Sequence, residues 1–305
     1  MRIALINSGL GLLAAAAELR RQSPGAELIL AMDPDGMPWG SRTPDDIARR
    51  SLACADAAAV YDPDVLVFAC NTGSVHALDA LRLRFEPGIP VVGTVPAIKP
   101  AAAAGQPIAI WATVATTGSA YQHALIAQFA ASVAVTEVPC PGLADAINAG
   151  DHRATTAAVA AAAARTPDHV RGVVLGCTEY ELAADAIAAA LPGVSLHGSA
   201  SAVAAQALRR ARSNAAGRRS PEPGAGSAPS GAGSSGADPA QSGASSAVTV
   251  LLSGRPGDLP AAAWGYREGR LLALRPDPAS RPDPASRPDS GASGLPGAES
   301  ASVRA

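Results

Sequence analysis

The chain has 305 residues, with 24 Lys and Arg against 26 Asp and Glu and a formal net charge of −2. So even a balance leaves no electrostatic footprint for a polyanion, which excludes a nucleic-acid partner from the expectations. Hydrophobic residues make up 48% and aromatics only 3%, so the core must be built from Ala, Val, Leu and Ile.

The chain opens with an apolar run at 2–7, directly after Met1. It lacks the apolar stretch and small-residue cleavage site of a signal peptide. No run of about 18 apolar residues follows, so no membrane span is expected and a reduced, cytoplasmic protein is. Further strands are expected at 27–32, 65–69, 90–94, 108–113, 133–138, 172–175 and 194–197. Helices are expected between them at 12–22, 44–61, 74–85, 119–131 and 155–165. This alternation predicts βαβ units and a parallel sheet. Near-continuous apolar strands predict that the sheet is covered on both faces. One helix start is marked by Thr43 as N-cap, Pro44 at the first helical position and Asp46 three residues after the cap.

Residues 213–246 are Gly, Ala, Ser and Pro with few apolar anchors. Such a segment buries too little surface to offset its ordering entropy, so disorder is expected. Then 247–252 reads as a strand, 260–266 as a short helix and 270–274 as a further apolar run. From residue 275 the hexapeptide Arg275-Pro276-Asp277-Pro278-Ala279-Ser280 repeats, and the tail 275–305 is expected to be extended and disordered.

The strongest chemical signal is a pair of cysteines. Val67-Phe68-Ala69-Cys70-Asn71-Thr72 resembles Val174-Leu175-Gly176-Cys177-Thr178 about one domain length later. In each, an apolar strand ends in a small residue, then Cys, then a polar residue opening a helix. The carboxyl end of a parallel strand is where open α/β sheets bind ligands. A helix N-terminus there lowers a thiol pKa from roughly 8.5 toward neutrality. Two such sites place two sulfurs on opposite faces of one ligand. The bland alternative is two small hydrophobes buried at strand ends. The other two cysteines, Cys54 and Cys140, read as packing and turn residues. No CxxC pair exists, so neither a disulfide scaffold nor a zinc site is expected. His76, His123, His152, His169 and His197 are scattered without metal-ligand spacing.

A competing signal is Gly9-Leu10-Gly11-Leu12-Leu13-Ala14 with Asp33 about twenty residues on, which matches a dinucleotide fingerprint. It leaves both cysteines unexplained.

Asn7-Ser8-Gly9-Leu10-Gly11-Leu12, Pro38-Trp39-Gly40-Ser41, Ala69-Cys70-Asn71-Thr72, Val92-Gly93-Thr94-Val95-Pro96-Ala97-Ile98-Lys99 and Leu175-Gly176-Cys177-Thr178-Glu179-Tyr180 occur in this order. Together they resemble glutamate racemase, in the aspartate/glutamate racemase superfamily. The resemblance implies an α/β fold of two similar flavodoxin-like domains with parallel sheets and the active site between them. The first domain would be 1–95, completed by about 200–212 and 247–274; the second would be 96–199. It also implies cofactor-independent racemisation of glutamate, supplying D-glutamate for peptidoglycan, in a possible homodimer. By resemblance, Cys70 and Cys177 are catalytic, acting on the D- and L-enantiomer respectively. Ser8, Asn71, Thr72 and Thr178 supply donors to the substrate, Pro38, Trp39 and Gly40 hold its distal carboxylate, and Asn7 and Glu179 complete the binding set.

The chain departs from that family's pattern at three positions. Asn7 stands where an Asp is usual, Glu179 where a His is usual, and Trp39 where a Tyr is usual. An amide takes no proton at neutral pH, and an anion beside a thiol disfavours its thiolate. The departures keep an aspartate racemase, another superfamily isomerase and a non-catalytic binder of an acidic ligand as alternatives.

Overall fold

The computed structural model of the protein describes residues 1–219 and 247–272. The elements run β1 (Arg2–Asn7), α1 (Leu12–Gln22), β2 (Glu27–Met32), α2 (Pro44–Ala59), β3 (Val65–Phe68), α3 (Asn71–Phe85) and β4 (Val91–Gly93). They continue with α4 (Ile98–Ala102), β5 (Ile108–Ala112), α5 (Ala120–Phe129), β6 (Val135–Pro139), α6 (Leu143–Ala149) and α7 (His152–Ala163). Then follow β7 (Gly172–Leu175), α8 (Ala184–Ala190), β8 (Ser195–His197), α9 (Ala200–Arg219), β9 (Val248–Leu252), β10 (Arg255–Gly257) and α10 (Arg267–Leu272).

Two sheets result. The first has the order β10-β9-β2-β1-β3-β4 and the second β6-β5-β7-β8. All pairs are parallel except β10 against β9. Leaving out the β9–β10 edge, both sheets share one internal order, in which the chain first steps to one side and then reverses. The reversal falls between β1 and β3 in one sheet and between β5 and β7 in the other, and such a switch point opens a crevice at the strands' carboxyl ends.

Alternation along the strands sorts the core. Ile3, Leu5, Val65 and Val67 face a large cluster that also takes in Trp111, Val173 and Leu175 of the second sheet. Ala4, Ile6, Leu66 and Phe68 face the opposite side, with Trp39, Ile47 and Cys70. One core is therefore shared by the facing sides of both sheets, and it locks the two halves together. Thr43 caps α2 as expected, its hydroxyl accepting from the Asp46 N–H at 3.3 Å.

The sequence reading ends the ordered region at 212, but α9 continues to Arg219. The reason is tertiary. The Asn214 amide donates to the carbonyls of Asp64 at 3.0 Å and Gly88 at 3.3 Å, tying the helix to the first sheet's loops. The rest of the expected disordered insertion, 220–246, lies outside the described residues, as does the tail 275–305. The strand read at 247–252 forms β9 and adds to β2 in parallel, Leu28 opposite Val248 and Met32 opposite Leu252. The apolar run read at 270–274 overlaps α10, a helix that starts earlier and whose Leu272 joins the shared core. Among the described residues no helix is long and apolar enough to cross a membrane.

Asp33, at the end of β2, organises the first domain's ligand end. Its carboxylate is buried and accepts from Trp39 Nε1 at 3.0 Å, Arg50 Nη1 at 3.2 Å and Ser253 Oγ at 3.0 Å. Its backbone N–H donates to the Ser8 carbonyl at 3.2 Å. One residue thus joins the 38–40 loop, α2, the C-terminal return and the turn after β1. Asp33→Ala leaves the buried Trp39 N–H unpaired and Arg50 with Asp46 alone, and urea titration should show a loss of about 1–3 kcal/mol.

Gly11 sits against the second domain. A Cβ there would stand 2.6 Å from Asn7 Nδ2 and 2.9 Å from Glu179 Cδ. Gly11→Ala should therefore lower stability by about 1–3 kcal/mol in the same titration; an unchanged midpoint would show that the contact is not tight.

Candidate active site

Both cysteines of the pair lie at carboxyl strand ends on the inner side of a switch point. Cys70 follows β3 and is the N-cap of α3, its Sγ accepting from the Gly73 N–H at 3.3 Å. Cys177 follows β7 and opens a 3-10 turn, Thr178–Ala183. Cys70 is buried, and Cys177 is half-buried.

Their neighbours interlock across the domain boundary. Asn71 Nδ2 donates to the Gly176 carbonyl at 2.9 Å. Its Oδ1 is buried and has no partner among the described residues. Asn7 is fully buried, and its Nδ2 donates to the Ala69 carbonyl at 2.5 Å and to Thr178 Oγ1 at 3.2 Å. Asn7 Oδ1 accepts from Ser8 Oγ at 3.3 Å and from the Gly9 N–H at 3.2 Å. Thr178 Oγ1 donates to Glu179 Oε2 at 3.3 Å, and Cys177 Sγ donates to the same oxygen at 2.9 Å.

Electrostatics follow from burial. Desolvation first, and the Glu179 charge second, push the Cys70 thiol up to about 12, while the N–H groups of Gly73, Thr72 and Ser8 pull it down. Cys177 is raised well above its ordinary value by burial, then by the charge and hydrogen bond of Glu179, and also by Cys70. Each thiol therefore feels the same carboxylate, and Cys177 feels Cys70.

The structure brings Ser8, Cys70, Asn71 and Thr72 together from the first domain with Cys177, Thr178 and Glu179 from the second. It gives two of the expected binding side chains internal partners. The Asn7 amide is taken up by internal partners and brackets the domains. The Trp39 ring is buried edge-on to Phe68, with centroids 6.0 Å apart, and its N–H is held by Asp33. What the 38–40 loop presents outward is Pro38 and Gly40, both exposed.

The dinucleotide reading meets occupied space. A Cβ on Gly9 would fall on Asn148 and Met37, and one on Gly11 on Thr178 and Asn7. The glycines admit the second domain, and the Asp33 carboxylate is already engaged. Sequence reasoning passed over Asn148, whose Oδ1 accepts from the Leu10 N–H at 2.8 Å across the boundary. It also passed over Thr113 and Thr116, whose hydroxyls pair at 3.1 Å just past β5, the strand beside β7. The intervening Ala115 lies 4.0 Å from where a Gly40 Cβ would be, so the two loops face each other. The only signal in the sequence was the hydroxyl-rich stretch after an apolar strand.

The sequence matches the Asp/Glu/Hydantoin racemase family over residues 3–207. It is 38% identical over 185 residues to the glutamate racemase of Roseiflexus sp. (strain RS-1), covering 59% of this chain and 68% of that one. It is 35% identical over 213 residues to the glutamate racemase of Pseudomonas putida (strain W619), covering 68% and 80%. Among solved structures it is similar to the Escherichia coli glutamate racemase in complex with L-glutamate and the activator UDP-MurNAc-ala, with a TM-score of 0.63 and 31% identity over 69% of this chain and 82% of that one. The chain belongs to the Asp/Glu/Hydantoin racemase family and is an isomerase, an amino-acid racemase.

Proposed function

We propose that the protein interconverts L- and D-glutamate without a cofactor, using Cys70 and Cys177 as a base and acid that exchange roles. The observation that carries this reading is the placement of the two thiols at matching strand ends of the two domains, each within reach of the Glu179 field. Racemisation needs one group to take the Cα proton and another to return one to the opposite face. Chemically equal groups serve both directions. The glutamate specificity is carried over from relatives 33–38% identical that are named glutamate racemases.

In this reading L-glutamate presents its Cα–H to Cys177 and D-glutamate to Cys70. The thiolate takes the proton, and the C–H electron pair is left on a carbanion conjugated with the α-carboxylate. Charge developing there is held by donors already in place. The Thr72 hydroxyl at the start of α3 is one, and the Ser8 hydroxyl joins it by turning from Asn7 Oδ1 to the substrate. Asn71 Oδ1 is a ready acceptor for the substrate ammonium, because Gly176 already fixes the amide's other end. The 38–40 loop and the Thr113–Thr116 hydroxyl pair face each other where a distal carboxylate would reach. The same reading places the enzyme in the cytoplasm, as a possible homodimer, providing D-glutamate for peptidoglycan.

The deciding assay is Cα-hydrogen exchange in D2O with no cofactor added. Deuterium should enter both glutamate enantiomers. Exchange with aspartate alone would move the specificity to aspartate, and none with either would leave a binding protein. Cys70→Ser and Cys177→Ser should each cut racemisation by about 10²–10⁴-fold. Because burial raises both thiols, the thiolate grows only as pH rises, so kcat/KM should climb from pH 6 to pH 8, a range bracketing neutrality. A flat profile there would count against a thiolate base.

A further inference from the structure

The two thiols are held differently, although each receives backbone N–H groups, for Cys177 that of Glu179. Around Cys70 the structure places donors: the Gly73 N–H at 3.3 Å, with the N–H groups of Thr72 and Ser8 also facing the sulfur. Donors favour a thiolate. The side chain bonded to Cys177 is an acceptor, Glu179 Oε2 at 2.9 Å. An acceptor favours the thiol.

The direction of the chain behind Glu179 is fixed by hydrogen count. A hydroxyl has one hydrogen to give. Thr178 Oγ1 receives one from Asn7 Nδ2 at 3.2 Å, so it gives its own to Glu179 Oε2 at 3.3 Å. Asn7 in turn is oriented by its own neighbours, since its other amide hydrogen goes to the Ala69 carbonyl and its oxygen accepts from the Gly9 N–H. The sequence of donors therefore runs Asn7 to Thr178 to Glu179, and the carboxylate ends it as an acceptor aimed at Cys177. Among the described residues no ion pair neutralises Glu179. An Asp at position 7 would set a second carboxylate against the Ala69 carbonyl and take up the Thr178 hydrogen. The amide at 7 and the carboxylate at 179 are thus two parts of one arrangement.

We propose that Asn7, Thr178 and Glu179 act as one positioning relay that holds the proton on Cys177, so that Cys70 is the thiol that ionises first and serves as the base, with Cys177 as the acid. This rests on the two-thiol reading above. Once Cys70 has ionised, its thiolate takes the Cα proton of the enantiomer facing it. The electron pair of the broken C–H bond stays on Cα and captures the Cys177 proton from the other side. Cys177 is left as a thiolate beside Glu179, two anions in contact. That form is reset when, after product release, Cys177 regains a proton from solvent and Cys70 loses one.

The ionisable groups facing Cys177 are Glu179 and Tyr180 from its own turn and Cys70 from the start of α3. Cys140, from the turn between β6 and α6, reaches Tyr180. Of these, only Glu179 bonds the Cys177 sulfur.

The test is a pH titration of thiolate absorbance in the Cys70→Ser chain, where Cys177 remains, with the Cys70→Ser/Cys177→Ser chain as blank. Adding Glu179→Gln should lower the Cys177 midpoint by a pH unit or more, a tenfold rise in its acid constant. Adding Asn7→Asp instead should move it upward, because a second anion joins the first. The pH dependence of iodoacetamide alkylation at Cys177 should shift with each. A midpoint that Glu179→Gln leaves in place overturns the relay, and so does a downward move with Asn7→Asp. If one double variant does not fold, the other decides alone, since their expected signs differ. The titration needs no turnover. Failed Cα exchange in the parent chain would sink the racemase reading, whereas unmoved midpoints in an active enzyme would sink only the relay.

Discussion

The site depends on one close approach. The carboxyl ends of β1 and β3 meet the carboxyl end of β7 with Gly9 and Gly11 between them, and no side chain larger than hydrogen fits there. Asn148 and Met37 fill the volume that a Cβ on Gly9 would need, and Asn7, Thr178 and Glu179 that of one on Gly11. Asn71 reaches over to the Gly176 carbonyl and Asn148 reaches back to the Leu10 N–H. These contacts are polar, directional and buried, so each broken one leaves a desolvated partner behind. The apolar core shared by both sheets gives adhesion; the amides set how the halves are aligned. In the two-thiol reading proposed above, a pair that must reach both faces of one carbon needs that alignment.

A second constraint comes from far along the chain. After α9 the chain returns as β9, extends the first sheet beyond β2, and places Ser253 on Asp33. Asp33 also holds the indole N–H of Trp39. The loop that presents Pro38 and Gly40 is thus fastened from below by the C-terminal segment. A Trp where a Tyr is usual makes sense in this setting. Its N–H only donates, and the partner beneath is a carboxylate, which only accepts.

Much of this was legible in the sequence because the strands are short, nearly all apolar and bounded by turn residues. The repeat around Cys70 and Cys177 was visible because two structurally equivalent strand ends carry the same chemical demand. What was not legible depends on distant partners. Residues 213–219 look like the start of a low-complexity segment, and the sequence does not show that Asn214 reaches the carbonyls of Asp64 and Gly88. The short helices α4, α6 and α8 are five to seven residues long and Ala-rich, too brief for a period to show. Asp33 read as a possible ribose ligand because spacing alone cannot tell that Trp39, Arg50 and Ser253 occupy it. Asn7 and Glu179 each looked like a loss against the family pattern. Their relation emerges only when Thr178 stands between them.

That relation bears on how a symmetrical reaction runs in an asymmetrical protein. The two domains repeat one topology, but the elements after the cysteines differ. Cys70 begins a full α-helix of 15 residues, whose aligned peptide units present positive potential to the sulfur. Cys177 begins a 3-10 turn, whose backbone offers less, and a carboxylate two residues on turns toward it. Equal thiols in unequal surroundings do not share a proton evenly. For a racemisation the equilibrium constant is one whatever the enzyme does, so the imbalance leaves the ratio of products untouched. It acts on the enzyme itself: it decides which thiol ionises first and which protonation form must be regenerated between turnovers. In the proposed relay, the buried Glu179 carboxylate bonded to Cys177 makes that choice. In the glutamate reading proposed above, a second one at position 7 would add another anion to a site that must already admit a substrate with two carboxylates.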